Sequence, residues 1–143
     1  MPKPVVSKAS TVWNGDLFNG SGRTSLGGSG LGPFDVDWDT RAEAGAGPKT
    51  SPEELLASAH ATCFSMALSN MLAQNDTPPT QLDTSAEVTF VAGEGIQGVK
   101  LSVEAQVENI NAEDFARIAD EAKSGCPVSQ ALSVDITVDA RLA

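Results

Sequence analysis

From Leu55 to Asn75 the chain contains no Asp, Glu, Lys or Arg, and this run constrains the fold more than any other feature. Its start is well signposted. Ser51 is a capping residue, Pro52 takes the first helical position and Glu54 lies three residues after Ser51, the pattern of a capping box. One apolar stripe is Leu56, Ala59, Cys63, Met66 and Ala67; another is Ala61, Phe64, Leu68, Met71 and Leu72. A helix apolar on two faces is normally covered on both. A chain of 143 residues has little material to surround such a helix. The expectation is therefore a long buried central helix that doubles as the interface of a homodimer. A membrane span is the rival reading. The repeated Ser, His, Thr and Asn within the run, and the lack of a basic flank, count against it.

The segments around this helix read as strands and one further helix. "SKASTVW" is a strand, followed by the Asn-Gly turn chemistry of "NGD" and "NGSG". "LGGSGLGP" reads as a loop. "FDVDWDT" alternates strictly, which predicts a strand with Val36, Trp38 and Thr40 on one face and Asp35, Asp37, Asp39 and Arg41 on the other. "EAGAGPK" is a flexible connection into the central helix. Beyond it, "LDTSAEVTFV", "VKLSVEAQV" and "SVDITVDARL" each place apolar residues on one face and polar ones on the other, as expected of antiparallel sheet with one wet side. "AGEGIQG" joins the first two as a hairpin. Asn111 caps a helix whose buried stripe is Phe115, Ile118, Ala119 and Ala122, and Gly125 ends it. The prediction is one α+β domain over residues 1–143, with an antiparallel sheet of about six strands.

Charge narrows the partners. Nineteen acidic and nine basic residues give a formal charge of −10, and no Lys/Arg cluster is present. Nucleic-acid binding is driven by such clusters, so neither nucleic acid nor an anionic membrane surface is expected. The opening "MPKPVVSKAS" lacks the apolar core of a secretory signal. With two cysteines only, a cytoplasmic protein with reduced thiols is the expectation.

Those two cysteines carry the chemistry available. Cys126, in "SGCPVSQAL", sits between a helix ended by Gly125 and a short one begun by Pro127. Free backbone amides at such a junction favour a thiolate; the plain alternative is a small residue filling a helix junction. Cys63 lies three turns into the central helix, where the dipole gives little help and burial raises the pKa. A reactive thiol there needs a cation, and Arg41 is the best-placed candidate; the alternative is a solvated Arg on an edge strand. Glu53 either complements the helix dipole or orients Arg41 through a bidentate pair. His60, one turn before Cys63, is a base, a structural hydrogen-bonding group or a ligand. His60, Cys63 and Cys126 supply three ligands for zinc, but a fourth ligand and paired spacing are missing.

"SPEELLASAHATCFSMALSNML" and "AKSGCPVSQAL", in this order, resemble the osmotically inducible protein C (OsmC)/organic hydroperoxide resistance (Ohr) family. The family pattern is a Pro-Glu entry to a central helix, a cysteine ten residues after that Glu, and a later Cys-Pro; the wording "HATCFSMALS" is closer to the OsmC branch. The likeness extends in outline over nearly the whole chain, "FDVDWDTRAE" included. It implies the OsmC-like fold, an intertwined homodimer with the central helices between two sheets, and a thiol peroxidase without metal, haem or other cofactor. It also implies that Cys63 is the peroxidatic thiolate and Cys126 the resolving thiol. Arg41 matches the thiolate-stabilising arginine, and Glu53 the glutamate that holds it. An organic hydroperoxide is the implied substrate and a lipoyl-type dithiol the implied reductant. Phe64, Met66 and Leu68 are then expected as apolar walls favouring organic hydroperoxides. The competing readings are a non-catalytic, small-molecule-binding stress protein with two incidental cysteines, and a zinc-stabilised domain.

Overall fold

A computed structural model describes residues 2–43 and 47–143. Within "EAGAGPK", the expected flexible connection, residues 44–46 lie outside the described residues. The chain divides into two compact units, one ending at Pro52 and one beginning at Glu53.

The amino-terminal unit is a three-stranded antiparallel sheet in the order β1 (Ala9–Asn14), β2 (Ser21–Leu26), β3 (Leu31–Val36), followed by α1 (Trp38–Glu43). The Asn-Gly turns form the β1–β2 hairpin as expected. Two expectations are corrected here. The glycine-rich "LGGSGLGP" is not all loop: Gly30 closes a turn onto the Leu26 carbonyl at 2.8 Å, and Leu31, Gly32 and Pro33 then open β3. β3 is an edge strand, where a proline's missing N–H leaves no central ladder bond unmade. The alternation of "FDVDWDT" also stops early. The Asp37 carboxylate accepts the backbone N–H of Thr40 at 2.8 Å, so the chain turns into a helix and Trp38, Thr40 and Arg41 leave the strand. Lys49 grips the other oxygen of the same carboxylate at 2.7 Å. That bond, followed by the Thr40 amide, lowers the Asp37 pKa to about 2.

The carboxy-terminal unit contains nearly all of α2 (Pro52–Gln74), then β4 (Pro79–Val91), β5 (Gly95–Val107), α3 (Ala112–Gly125), α4 (Pro127–Ala131) and β6 (Asp135–Leu142). α2 begins at the proline that the capping pattern marks. It ends in a Schellman motif: the Thr77 amide bonds the Leu72 carbonyl at 2.9 Å and the Asp76 amide bonds that of Ala73 at 3.0 Å. Asp76 takes the left-handed position, with φ of 60°. Among the described residues, one line of α2 is fully buried. His60, Phe64, Leu68 and Leu72, each one turn apart, are fully buried, whereas Met66 on another face is 68% exposed.

β4, β5 and β6 form a second three-stranded sheet with β5 in the middle. β4 and β5 pair antiparallel as a long hairpin, but β6 runs parallel to β5, from Gly98 against Asp135 to Ala105 against Leu142. The expectation of a wholly antiparallel sheet is corrected on this edge. The physical reason is the connection. Two helices intervene between β5 and β6, and such a crossover returns the chain to the end where β5 began. The inner face of β5 is the floor of the core: Val99, Leu101, Val103 and Ala105 are buried, together with Phe64, Leu68 and Leu72 of α2 and Phe115, Ile118, Ala119 and Ala122 of α3. Asn111 caps α3 as expected, accepting the Asp114 amide at 2.7 Å.

Candidate active site

The two cysteines, far apart in sequence, face each other in the carboxy-terminal unit. Cys63 is placed by α2, one position before the buried Phe64, and is partly exposed. Cys126 is fully buried at the junction where α3 hands over to α4. Its own amide closes α3 onto the Ala122 carbonyl at 2.9 Å, and its carbonyl accepts the Gln130 amide of α4 at 3.0 Å. Pro127 occupies the first position of α4 and has no N–H. The next two amides, of Val128 and Ser129, are therefore the ones that face the Cys126 thiol. Both cysteines are free thiols.

The environments push the two thiols in opposite directions. Burial raises the Cys63 pKa, and donating its proton toward Cys126 raises it further; the Val128 amide offsets this only in part. Burial also acts to raise the Cys126 pKa. It is outweighed by the Cys63 thiol, by the amide and hydroxyl of Ser129 and by the Val128 amide, so Cys126 ends below the ordinary thiol value. These groups act as weak donors around the sulfur, without a full capping bond from the side chain. Ionisation and access thus favour different sulfurs. The accessible one is Cys63.

A third buried polar group joins the pair. His60 has no exposed surface, and its Nε2 lies 2.7 Å from the Ser129 hydroxyl, which is itself buried. Nδ1 of His60 has no hydrogen-bond partner. Burial lowers the His60 pKa, so the ring is neutral near pH 7. Sequence reasoning singled out His60 but missed Ser129 and Val128. The usable signal for Ser129 is its place three residues after Cys126, the position that meets the capping residue's side chain at a helix start.

The remaining expected site residues fall as follows. Arg41 stands in the last turn of α1, in the amino-terminal unit, and Glu53 is buried in the first turn of α2. Phe64 and Leu68 have no exposed surface and belong to the core, which corrects the expectation of these two as pocket walls. Met66 is exposed and, with Ser65, Ser69 and Leu82, lines an open cleft between α2 and the start of β4. Among the described residues, no group of three or more His, Cys, Asp and Glu side chains is arranged to hold a metal ion. By length and composition α2 is also long and apolar enough to cross a membrane. In this fold its buried line packs in the core of the carboxy-terminal unit.

The model of the OsmC-like protein family matches residues 45–141, which include both cysteines and all of α2. The chain belongs to the OsmC-like family. Peroxiredoxin OsmC of Escherichia coli K12 is 42% identical over 141 residues, covering 96% of this chain and 97% of that protein. Organic hydroperoxide resistance protein OhrA of Bacillus subtilis is 33% identical over 94 residues, 63% of this chain and 66% of that one. Among solved structures, an OsmC-like protein of Mycoplasma pneumoniae superposes with a TM-score of 0.72 at 18% identity, covering 100% of this chain and 99% of that one. OhrB of Bacillus subtilis does so at 0.62 and 22% identity, covering 95% and 98%. At such identities the superpositions speak for the shared family fold: α+β, with two three-stranded sheets and a long helix packed on the second.

Proposed function

We propose that this chain is a cysteine-based peroxidase that reduces organic hydroperoxides, and hydrogen peroxide less well, in oxidative or osmotic stress defence. The single observation that carries this reading is the meeting of an accessible thiol, Cys63, with a buried one, Cys126, that is surrounded by donors. The names of the relatives, peroxiredoxin OsmC and organic hydroperoxide resistance protein, support the same class of substrate.

In this reading the Cys63 thiolate attacks the distal oxygen of the hydroperoxide. The O–O bond breaks, Cys63 becomes a sulfenic acid, and the leaving alkoxide takes up a proton to give the alcohol. Access selects Cys63 as the attacking sulfur, because no surface of Cys126 is open to a substrate. Ionisation of Cys63 is then the problem to be solved, since its surroundings in the carboxy-terminal unit disfavour the thiolate. Arg41 is assigned that task, lowering the thiol pKa and steadying the charge that grows on the leaving oxygen, with Glu53 orienting it. Cys126 thiolate attacks the sulfenic sulfur, forming the disulfide and expelling hydroxide. A dithiol of lipoyl type restores both thiols by exchange. The chemistry requires no metal and no other cofactor.

The reading includes one domain spanning the chain, a cytoplasmic location and a homodimer. The support for a dimer is the uncovered part of α2: Ala59 and Met66 are exposed, in a helix without a charge between Leu55 and Gln74 to solvate it. The test is intact mass and free-thiol count after one equivalent of an organic hydroperoxide. The expected result is loss of both thiols with no added oxygen. Two untouched thiols in folded, reduced protein would overturn the reading in favour of a non-catalytic binding protein.

A further inference from the structure

Arg41 carries the charge that the mechanism needs, yet it stands on a helix that is weak by itself. α1 has six residues, and none of them is buried. Nucleating a helical turn is unfavourable, and short helices are marginal in water. Such a helix has to be held at its ends. The Asp37 carboxylate accepts the Thr40 backbone N–H through Oδ1 at 2.8 Å, which satisfies an amide that a helix start leaves without a helical partner. The Trp38 ring meets Phe18 edge-on, with the ring centroids 5.7 Å apart.

The second oxygen of Asp37 is held from further along the chain. Nζ of Lys49, twelve positions later, donates to Oδ2 at 2.7 Å. The backbone supports this meeting. The Thr50 amide donates to the Asp35 carbonyl at 2.9 Å, and Val36 and Thr50 form an isolated parallel bridge. One carboxylate therefore both starts α1 and receives the returning lysine. A surface ion pair contributes little by itself. This one grips a carboxylate already committed to a cap, and so fixes the rotamer that makes the cap. Arg41 comes one turn later: its amide donates to the Asp37 carbonyl at 3.4 Å, the i→i−4 bond that closes the first turn.

We infer that Asp37 and Lys49 are positioning residues for Arg41: their ion pair fixes the carboxylate that starts α1, and with it the turn that carries the arginine. The inference rests on the role that the peroxidase reading gives Arg41 at Cys63. The surrounding charges leave the clamp intact where thiols titrate. Lys49 is flanked by Asp35 and Asp39 as well as Asp37, and Arg23 pairs with Asp35 at 3.2 Å. The Lys49 bond holds the Asp37 pKa down at about 2, and the Asp37 carboxylate raises that of Lys49, so both partners stay charged.

The experiment compares alkylation profiles of Cys63, resolved by peptide mass, in the unsubstituted protein and in Asp37→Ala, Lys49→Ala and Lys49→Arg. The two alanine variants are also measured in an Arg41→Ala background. Asp37→Ala loses the cap and the ion pair together. It is expected to raise the Cys63 midpoint by about one pH unit, a roughly tenfold loss of thiolate below it. Lys49→Ala keeps the cap acceptor and should raise the midpoint by about half a unit, or roughly threefold. Lys49→Arg should restore most of that. Where Arg41→Ala is already present, neither alanine substitution should move the midpoint further; a shift there would overturn the positioning role. So would unmoved midpoints in Asp37→Ala and Lys49→Ala when Arg41→Ala alone moves Cys63. An unmoved midpoint in Arg41→Ala itself would instead overturn the role given to the arginine, and the purpose of the clamp with it. Backbone chemical shifts over Trp38–Glu43 read the clamp without reference to either cysteine. Their helical character should be lost in Asp37→Ala, weakened in Lys49→Ala and kept in Lys49→Arg; unchanged shifts in both alanine variants would overturn the clamp.

Discussion

Cys63 and Cys126 carry the same atom in opposite settings. Cys63 projects from the middle of a long helix whose amides are committed to its own backbone, and it is partly exposed. Cys126 is buried where one helix ends and another begins, so amides without helical partners lie beside it. The contrast teaches that exposure and ionisation need not coincide. The reachable thiol is held protonated by its surroundings, and the hidden one is held toward the thiolate.

The largest effect expected from breaking this contrast comes from the sulfurs themselves. Cys63→Ser should abolish hydroperoxide consumption. Cys126→Ser should permit one oxidation and stall at the sulfenic or over-oxidised state, read by intact mass; continued cycling of that variant with a monothiol would make Cys126 dispensable. Next comes the support beneath them. Phe64→Ala removes a fully buried ring adjacent to Cys63 and should cost about 3–5 kcal/mol of unfolding free energy, measured by urea denaturation. A smaller effect distinguishes the two thiols by pH. In an Arg41→Ala variant, normalised alkylation profiles of the reduced protein, resolved by peptide mass, should place the Cys126 midpoint below the ordinary thiol value and the Cys63 midpoint above it. The unsubstituted protein should show a lower Cys63 midpoint than this variant, and the difference measures the arginine's contribution directly. The smallest effect is at Asn111, the cap of α3. Asn111→Ala should cost about 1 kcal/mol of unfolding free energy, measured by urea denaturation.

Much of this was legible before any coordinates. Ser51, Pro52 and Glu54 marked the start of α2, and Asn111 with Phe115, Ile118, Ala119 and Ala122 marked α3, because capping and 3.6-residue periodicity are local signals. The junction at Cys126 was legible for the same reason, from Gly125 and Pro127 on either side. What was not legible depended on competition or distance. The alternation through Trp38 and Thr40 pointed to a strand, but one carboxylate, Asp37, captured the Thr40 amide and started a helix. The parallel pairing of β6 is a property of the crossover, and no residue of β6 announces it. The one-sided burial of α2 was hidden by a composition apolar on every face. Ser129 was missed because its partner His60 is 69 positions away, and a serine in a five-residue helix carries no periodic signal of its own.

The crossover that makes β6 parallel also decides what a bond between the two sulfurs would enclose. Cys63 lies before β4, and Cys126 lies within the connection from β5 to β6, so a disulfide would close a loop containing β4, β5 and α3. A loop of that length removes about 4 kcal/mol of chain entropy from the unfolded state. The oxidised protein would then melt higher than the reduced one. Each turnover would tighten and release the same hairpin-and-helix segment, making thermal stability a direct reporter of redox state.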